Sequence, residues 1–297
     1  MKTSFMKKYL TVTALVFVAL TSCVSSKKAN SLQRQIEEQK SQQTALLQKL
    51  DSIDARRISK RNSGELDEMT DSATYQYIRQ LRDSIQSRIQ QYDVISSTGY
   101  KNKRRNRKAQ EYFGHVSTLY KADLQNALFF DELLAANTFA KLNTAVFFGS
   151  GQYKIESNTE AEKMLGSVTD EVLRFAAKHS DRELHASFIV LGYADEENFT
   201  SGSELYKDLT KNISSLSPSR IQMNVEMSNR RANAITSILR EQYRLQRSKF
   251  PVNNLSHSFF SIGKGEQLPA GKITDYKPVD ERRRVVLIYW SVLPKMK

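Results

Sequence analysis

The sequence is poor in the residues that staple a fold covalently or through a metal. Its 297 residues include a single cysteine, Cys23, which excludes an intrachain disulfide framework and every multi-cysteine metal cluster. Histidine is almost as scarce. The four histidines, at positions 115, 179, 185 and 257, are scattered and argue against a histidine-based zinc site. Apolar residues make up 39% of the chain, a low share for a compact domain, so part of it is expected to be elongated or exposed beside a real core. Acids are outnumbered too, 32 against 45 basic residues, for a net charge of +13. Such an excess suits a polyanion, whether nucleic acid, an anionic membrane or a cell-wall polymer. No stretch beyond residue 22 is apolar for long enough to span a bilayer.

What is present begins with MKTSFMKKYLTVTALVFVALTSC. Lys2, Lys7 and Lys8 precede an apolar core at residues 10–20, too short for a comfortable membrane span and typical of a secretion signal. Removing this segment takes three lysines and no acids, leaving a net charge of +10. Leu20-Thr21-Ser22-Cys23 resembles the bacterial lipobox. That resemblance implies a signal peptide at 1–22 and acylation of Cys23, whose thiol forms the thioether to lipid. Acyl chains bury enough CH₂ groups to hold the protein at a membrane. Residues 23–30 then form a short polar tether.

From residue 31 to 141 the spacing predicts an α-helical or coiled-coil arm, or a small bundle. Leu32, Ile36, Gln39, Gln43, Leu46, Leu50 and Ile53 follow a 4-3 repeat, with the two glutamines weakening the seam. Breaks are expected at 59–64 and 96–99. Between them Ile78, Leu81, Ile85, Ile89 and Tyr92 form a second stripe. A third runs from 111 to about 142 and includes Leu134 and Phe139. The run KNKRRNRK at 101–108 carries six basic residues. It is either a solvated helix start or a contact for anionic lipid or another polyanion. It lacks a recognition helix, zinc pattern or aromatic interleaving, so a nucleic-acid partner is not expected.

The composition then changes to alternating strand and helix signals. Strands are expected at 144–149, 184–192, 254–262 and 284–293, with helices at 160–178 and from Ser228, read as an N-cap, onward. The order β-α-β-α-β-β describes an α+β domain with helices packed on a mixed sheet, over residues 142–297.

These residues also carry a resemblance. Gly192-Tyr193-Ala194-Asp195, followed by the stretch from Asn224 through Met227 and Ser228 to Arg231-Ala232, resembles the OmpA-like peptidoglycan-binding family. So do Gly263-Lys264-Gly265-Glu266 with Pro269, and Arg283-Arg284-Val285. Ala194 and Met227 replace the family's threonine and leucine. Arg282 stands in place of an asparagine and Val286 in place of a frequent glutamate. The resemblance implies that Asp195 and Arg231 bind the diaminopimelate of the peptidoglycan stem peptide. A carboxylate would take its ammonium and a bidentate guanidinium its carboxylate. Asn224 would support the loop or touch the peptide, and Arg283 or Arg284 would add positive field. A structural salt bridge is the alternative for Asp195 and Arg231. These two lie 36 residues apart, a longer spacing than the family resemblance implies, so residues 196–223 are read against it as an insertion beside the site, with a short helix expected near 204–209.

No chemistry beyond binding is legible. Gly263-Lys264-Gly265 lacks the spacing of a phosphate loop, and no motif makes Ser228, Ser237 or His257 a nucleophile or base. The consecutive Asp195, Glu196 and Glu197 do not all converge on one point. No cofactor or metal is implied. The expectation is an outer-membrane lipoprotein facing the periplasm, tethering the envelope to peptidoglycan. Motor-stator relatives keep a membrane-spanning helix, which sets this chain apart from them. An envelope scaffold that binds a protein partner is the alternative.

Overall fold

A computed structural model describes residues 25–98, 102–136, 138–143, 148, 151–155, 159–215, 217–269 and 275–295. Residues 1–22, expected to be a signal segment, and Cys23 lie outside these residues. The chain divides into two compact units, the first holding Met1–Arg57 with Ser72–Glu132, the second Ile58–Asp71 with Leu133–Lys297.

The first unit is built on helices α1 (Ser26–Asn62), α2 (Glu68–Thr98) and α3 (Lys103–Ala135). The 4-3 repeat in α1 lies on its buried face: Leu32, Ile36, Leu46, Leu50 and Ile53 are all buried, and so is Gln43. At one end Ala29, Leu32 and Ile36 of α1 pack with Tyr92 of α2 and with Ala109 and Val116 of α3. Ion pairs join all three helices: Lys40 with Asp93, Asp51 with Arg82, Arg88 with Asp123, and Asp131 with both Lys49 and Arg56. No helix among the described residues is long and apolar enough to cross a membrane.

The second unit is an α+β domain. Its mixed sheet has the order β1-β4-β2-β3, with β1 (Phe139–Asn143) and β2 (Leu184–Gly192) both antiparallel to β4 (Val285–Pro294), and β3 (Leu255–Gly263) parallel to β2. Helices α4 (Thr159–Lys178) and α6 (Arg220–Arg247) pack on one face, and the short α5 (Glu204–Thr210) lies in the insertion. Glu160 and Glu162 in the first turn and Lys178 in the last suit the dipole of α4. Strand β4 is apolar almost throughout, as a central strand covered on both faces must be. Its Trp290 meets Phe175 of α4, while Phe188 of β2 meets Tyr243 of α6. The opposite face buries Ile189, Tyr193, Val285, Leu287 and Tyr289. There the Tyr289 hydroxyl donates to the Gly64 carbonyl at 3.0 Å, so the α1–α2 turn belongs to this domain's packing.

Two expectations change. The first strand is at Phe139–Asn143, on residues that read as the tail of a helix, and most of 144–149 lies outside the described residues. Helix α6 starts at Arg220, capped by a Ser219–Gln222 capping box, eight residues before Ser228. Ser228 is therefore an interior, fully buried helical residue and not an N-cap.

Candidate functional site

The family-like glycines and Ser228 set the frame of the site. A Cβ on Gly192 would fall 2.1 Å from the Ser228 carbonyl oxygen, and one on Gly263 would fall 2.6 Å from the Val225 carbonyl oxygen. Only glycine lets helix α6 lie this close to the C-terminal ends of β2 and β3. Beyond β3, Gly265 turns with a positive φ of 56°, and its N–H donates to Ser228 Oγ at 2.9 Å. Ala194 N–H in turn donates to the Gly265 carbonyl at 2.7 Å. Three segments are thereby clamped together, and the residue following Ala194 is Asp195.

Asp195 is buried, and its Oδ2 accepts from Arg284 Nε at 2.9 Å, from Arg284 Nη2 at 2.8 Å and from the Asp280 N–H at 3.2 Å. Arg284 also reaches Glu197 at 3.1 Å. The hydrogen bond that Arg284 donates to Asp195 is the foremost cause raising the Arg284 pKa. Arg231 enters from α6. Its Nε donates to the Gln152 carbonyl at 3.1 Å, and its guanidinium lies 5.7 Å from the centre of the Phe148 ring. Burial first, and then the neighbouring Arg284, pull the Arg231 pKa down to about 10, against the opposing pull of Asp195 and Glu197. A buried guanidinium that is costly to keep charged favours an arriving carboxylate. Arg231 sits about three turns inside α6, so the helix N-terminus does not supply the positive potential there.

Asp195, Arg231, Arg284 and Asn224 all line one cavity of about 470 Å³. Asn224 is buried and donates to the Glu197 carbonyl at 3.2 Å and to Glu266 Oε1 at 2.8 Å, which ties two loops to α6. Arg283 is placed elsewhere. It is 3% exposed and donates to Glu196 and to the carbonyls of Lys277, Pro278 and Glu266, so it staples the loops behind the cavity and does not line it.

The insertion forms one wall. Asn198, Phe199, Thr200, Ser203 and Leu205 line the cavity, and Phe148 and Gly151 face them from before α4. Leu209 packs with Met223 and Met227 of α6, supported by Tyr153, Phe199 and Ile213. Asp208 accepts from the Tyr153 hydroxyl and from Arg230, and these bonds, the Tyr153 one foremost, bring its pKa down to about 2. Sequence spacing marks the insertion as adjacent to Asp195, but it carries no sign that Phe148 and Phe199 complete the walls. Among the described residues no group of His, Cys, Asp and Glu is arranged to hold a metal ion.

The domain is thus an α+β fold, helices packed on a mixed sheet, with an amphoteric cavity at the end of its central strands. A scan of protein-family models gives no match, and neither does a search of curated proteins. Among solved structures the chain is similar to two crystal structures of the periplasmic domain of Helicobacter pylori MotB. One is 15% identical with a TM-score of 0.24, covering 52% of this chain and 74% of that one. The other is 16% identical with a TM-score of 0.23, covering 52% and 72%.

Proposed function

We propose that this chain is a non-enzymatic outer-membrane lipoprotein whose C-terminal domain holds peptidoglycan without a covalent bond. In this reading the signal peptide at 1–22 is removed, Cys23 is acylated, and residues 31–141 form the helical spacer, coiled or bundled, between anchor and binding domain. The observation that carries it is the meeting of Asp195, Arg231 and Arg284 in one cavity. Diaminopimelate offers an ammonium and a carboxylate on one carbon. A buried and a half-buried guanidinium beside a carboxylate match that pair of charges. The ammonium would go to the Asp195–Glu197 side, and the carboxylate to Arg231, which among the described residues has no ion pair like the one between Arg284 and Asp195.

Co-sedimentation of the mature chain with purified peptidoglycan tests this. The wild type should pellet with the polymer, and Asp195→Ala and Arg231→Ala should each remain in the supernatant. Binding that survives both changes removes the diaminopimelate clamp. A wild type that never pellets favours the second reading, an envelope scaffold gripping a protein. That reading draws on the insertion, beside which Ile221 and Val225 of α6 stay exposed at 57% and 42%. Metabolic labelling with a fatty acid tests the anchor: Cys23→Ala should abolish the label.

A further inference from the structure

Five exposed basic residues, Lys103, Arg104, Arg105, Arg107 and Lys108, open helix α3, whose first turn contains no acid. Positive charge at a helix N-terminus opposes the macrodipole, so this placement does not serve the helix's own stability. Asn102 instead provides the cap, its Oδ1 accepting from the Arg104 N–H at 2.9 Å. The basic turn does not stand alone. The cluster of Ala29, Leu32 and Ile36 with Tyr92, Ala109 and Val116 places the start of α1, the end of α2 and the start of α3 at one end of the helical unit. At that end α1 adds Lys27 and Lys28, both exposed, again with no acid in the first turn. The nearest acid on α3, Glu111, lies beyond this turn and pairs with Arg107 at 3.5 Å.

We infer that this end of the helical unit is a docking surface for an anionic bilayer, engaging phospholipid headgroup phosphates. The argument for a lipid partner is chain length. Two residues, Val24 and Ser25, separate Cys23 from Ser26, the first residue of α1, a Cα-to-Cα reach of about 10 Å when fully extended. If Cys23 carries acyl chains in the membrane, the basic end cannot sit much more than a Debye length from the headgroups, where Lys and Arg gain most from a negative surface. The inference rests on the lipid-anchor reading for that orientation. It adds that the anchored end is held against the surface and is not merely tethered near it. Acyl anchoring supplies residence, and the basic end supplies orientation.

The test uses the chain from Cys23 onward carrying Cys23→Ala, and so without an acyl group, with phosphatidylcholine vesicles with or without phosphatidylglycerol. The unacylated chain should co-float with the phosphatidylglycerol vesicles at low salt, be released by added salt, and ignore pure phosphatidylcholine. Neutralising four exposed positions together, Lys103→Gln, Arg104→Gln, Arg107→Gln and Lys108→Gln, should weaken partitioning by about tenfold or more. Helical circular dichroism and peptidoglycan co-sedimentation should stay at wild-type levels. A separate Lys27→Gln/Lys28→Gln variant should show a smaller loss. Equal binding to both vesicle types, or equal binding by wild type and the fourfold variant, overturns the inference. The Cys23→Ala labelling result stands apart from this, because the vesicle assay uses no acyl group.

Discussion

Arg284 holds Asp195 in a two-pronged grip, Nε at 2.9 Å and Nη2 at 2.8 Å from the same carboxylate oxygen. The carboxylate that the motif resemblance assigns to a ligand ammonium is thus already charge-compensated from within. Arg231, which approaches the same cavity, bonds instead to the Gln152 carbonyl. A zwitterionic ligand would complete the arrangement by adding an anion near Arg231 and a cation near the Asp195–Glu197 pair.

Asp195→Asn should therefore cost both stability and binding. It removes the two Arg284 contacts to Asp195 and leaves that guanidinium, 23% exposed, with Glu197 beside it, for a loss of about 1–3 kcal/mol. Urea unfolding should show the lower midpoint. Peptidoglycan co-sedimentation should fall in the same protein by at least about tenfold, since a charge-assisted contact worth about 1.5–3 kcal/mol is removed. Unchanged stability would mean that the ion pair contributes nothing to the fold.

Arg231→Gln should separate the two properties. Burial holds the Arg231 pKa near 10, below its ordinary 12.5, so the folded state disfavours the charged form. For a lowered pKa the favourable contribution is present above the unfolded value and is lost as pH falls through about 10. At neutral pH the charge is consequently a standing cost. Its removal should leave unfolding free energy within about 1 kcal/mol of wild type while abolishing retention on peptidoglycan. A large drop in stability would instead make Arg231 a structural residue.

Glycine replacements should diverge sharply between the two units. Gly192→Ala forces a Cβ to within 2.1 Å of the Ser228 carbonyl oxygen, so α6 must move off the sheet, at about 3 kcal/mol or more. Gly114 sits within α3, and a Cβ added there would meet nothing within 4 Å, so Gly114→Ala should stabilise its helix by about 0.5–1 kcal/mol. Thermal unfolding followed by circular dichroism reads both.

The seam glutamine offers a gain. Gln43 is fully buried in α1, and neither end of its amide has a hydrogen-bond partner among the described residues. Gln43→Leu should remove that desolvation penalty and stabilise the helical unit by about 1–3 kcal/mol, measurable as a raised Tm. A lowered Tm would indicate that a bound water satisfies the amide.

The insertion should loosen in acid. The Asp208 pKa is lowered to about 2 by Tyr153 and Arg230, so its contribution is complete above the ordinary 3.8 and disappears as pH falls through about 2. Asp208→Asn should reproduce the loosened state at neutral pH. Limited proteolysis should then cut within 196–215 while the β4 and α6 core stays protected. Identical cleavage of wild type and variant would show that apolar packing on Met223 and Met227 suffices alone.

Much of the fold was legible in local pattern. The 4-3 repeat of α1, the continuous apolar run of β4 and the strand at 184–192 each declare their element from their own residues. Strand β1 did not, because Phe139 continues the 3.6 spacing of α3, and what makes it a strand is pairing with β4, far along the chain. Ser228 reads as a cap for a similar reason. It is a small hydroxyl residue before a basic helical stretch, and only the packing of α6 on Gly192 and Gly265 explains its burial.

The site divides along the same line. Which groups carry charge, and that Asp195, Asn224, Arg231 and Arg284 fall in a motif order, can be read along the chain, since motif spacing is a property of the chain alone. It took folding to turn Arg284 toward Asp195, to spend Arg283 on Glu196 and loop carbonyls, and to make Phe148 and Phe199 walls of the cavity. Those outcomes depend on distances between segments remote in sequence, and glycine-permitted close contact between α6 and the sheet sets them.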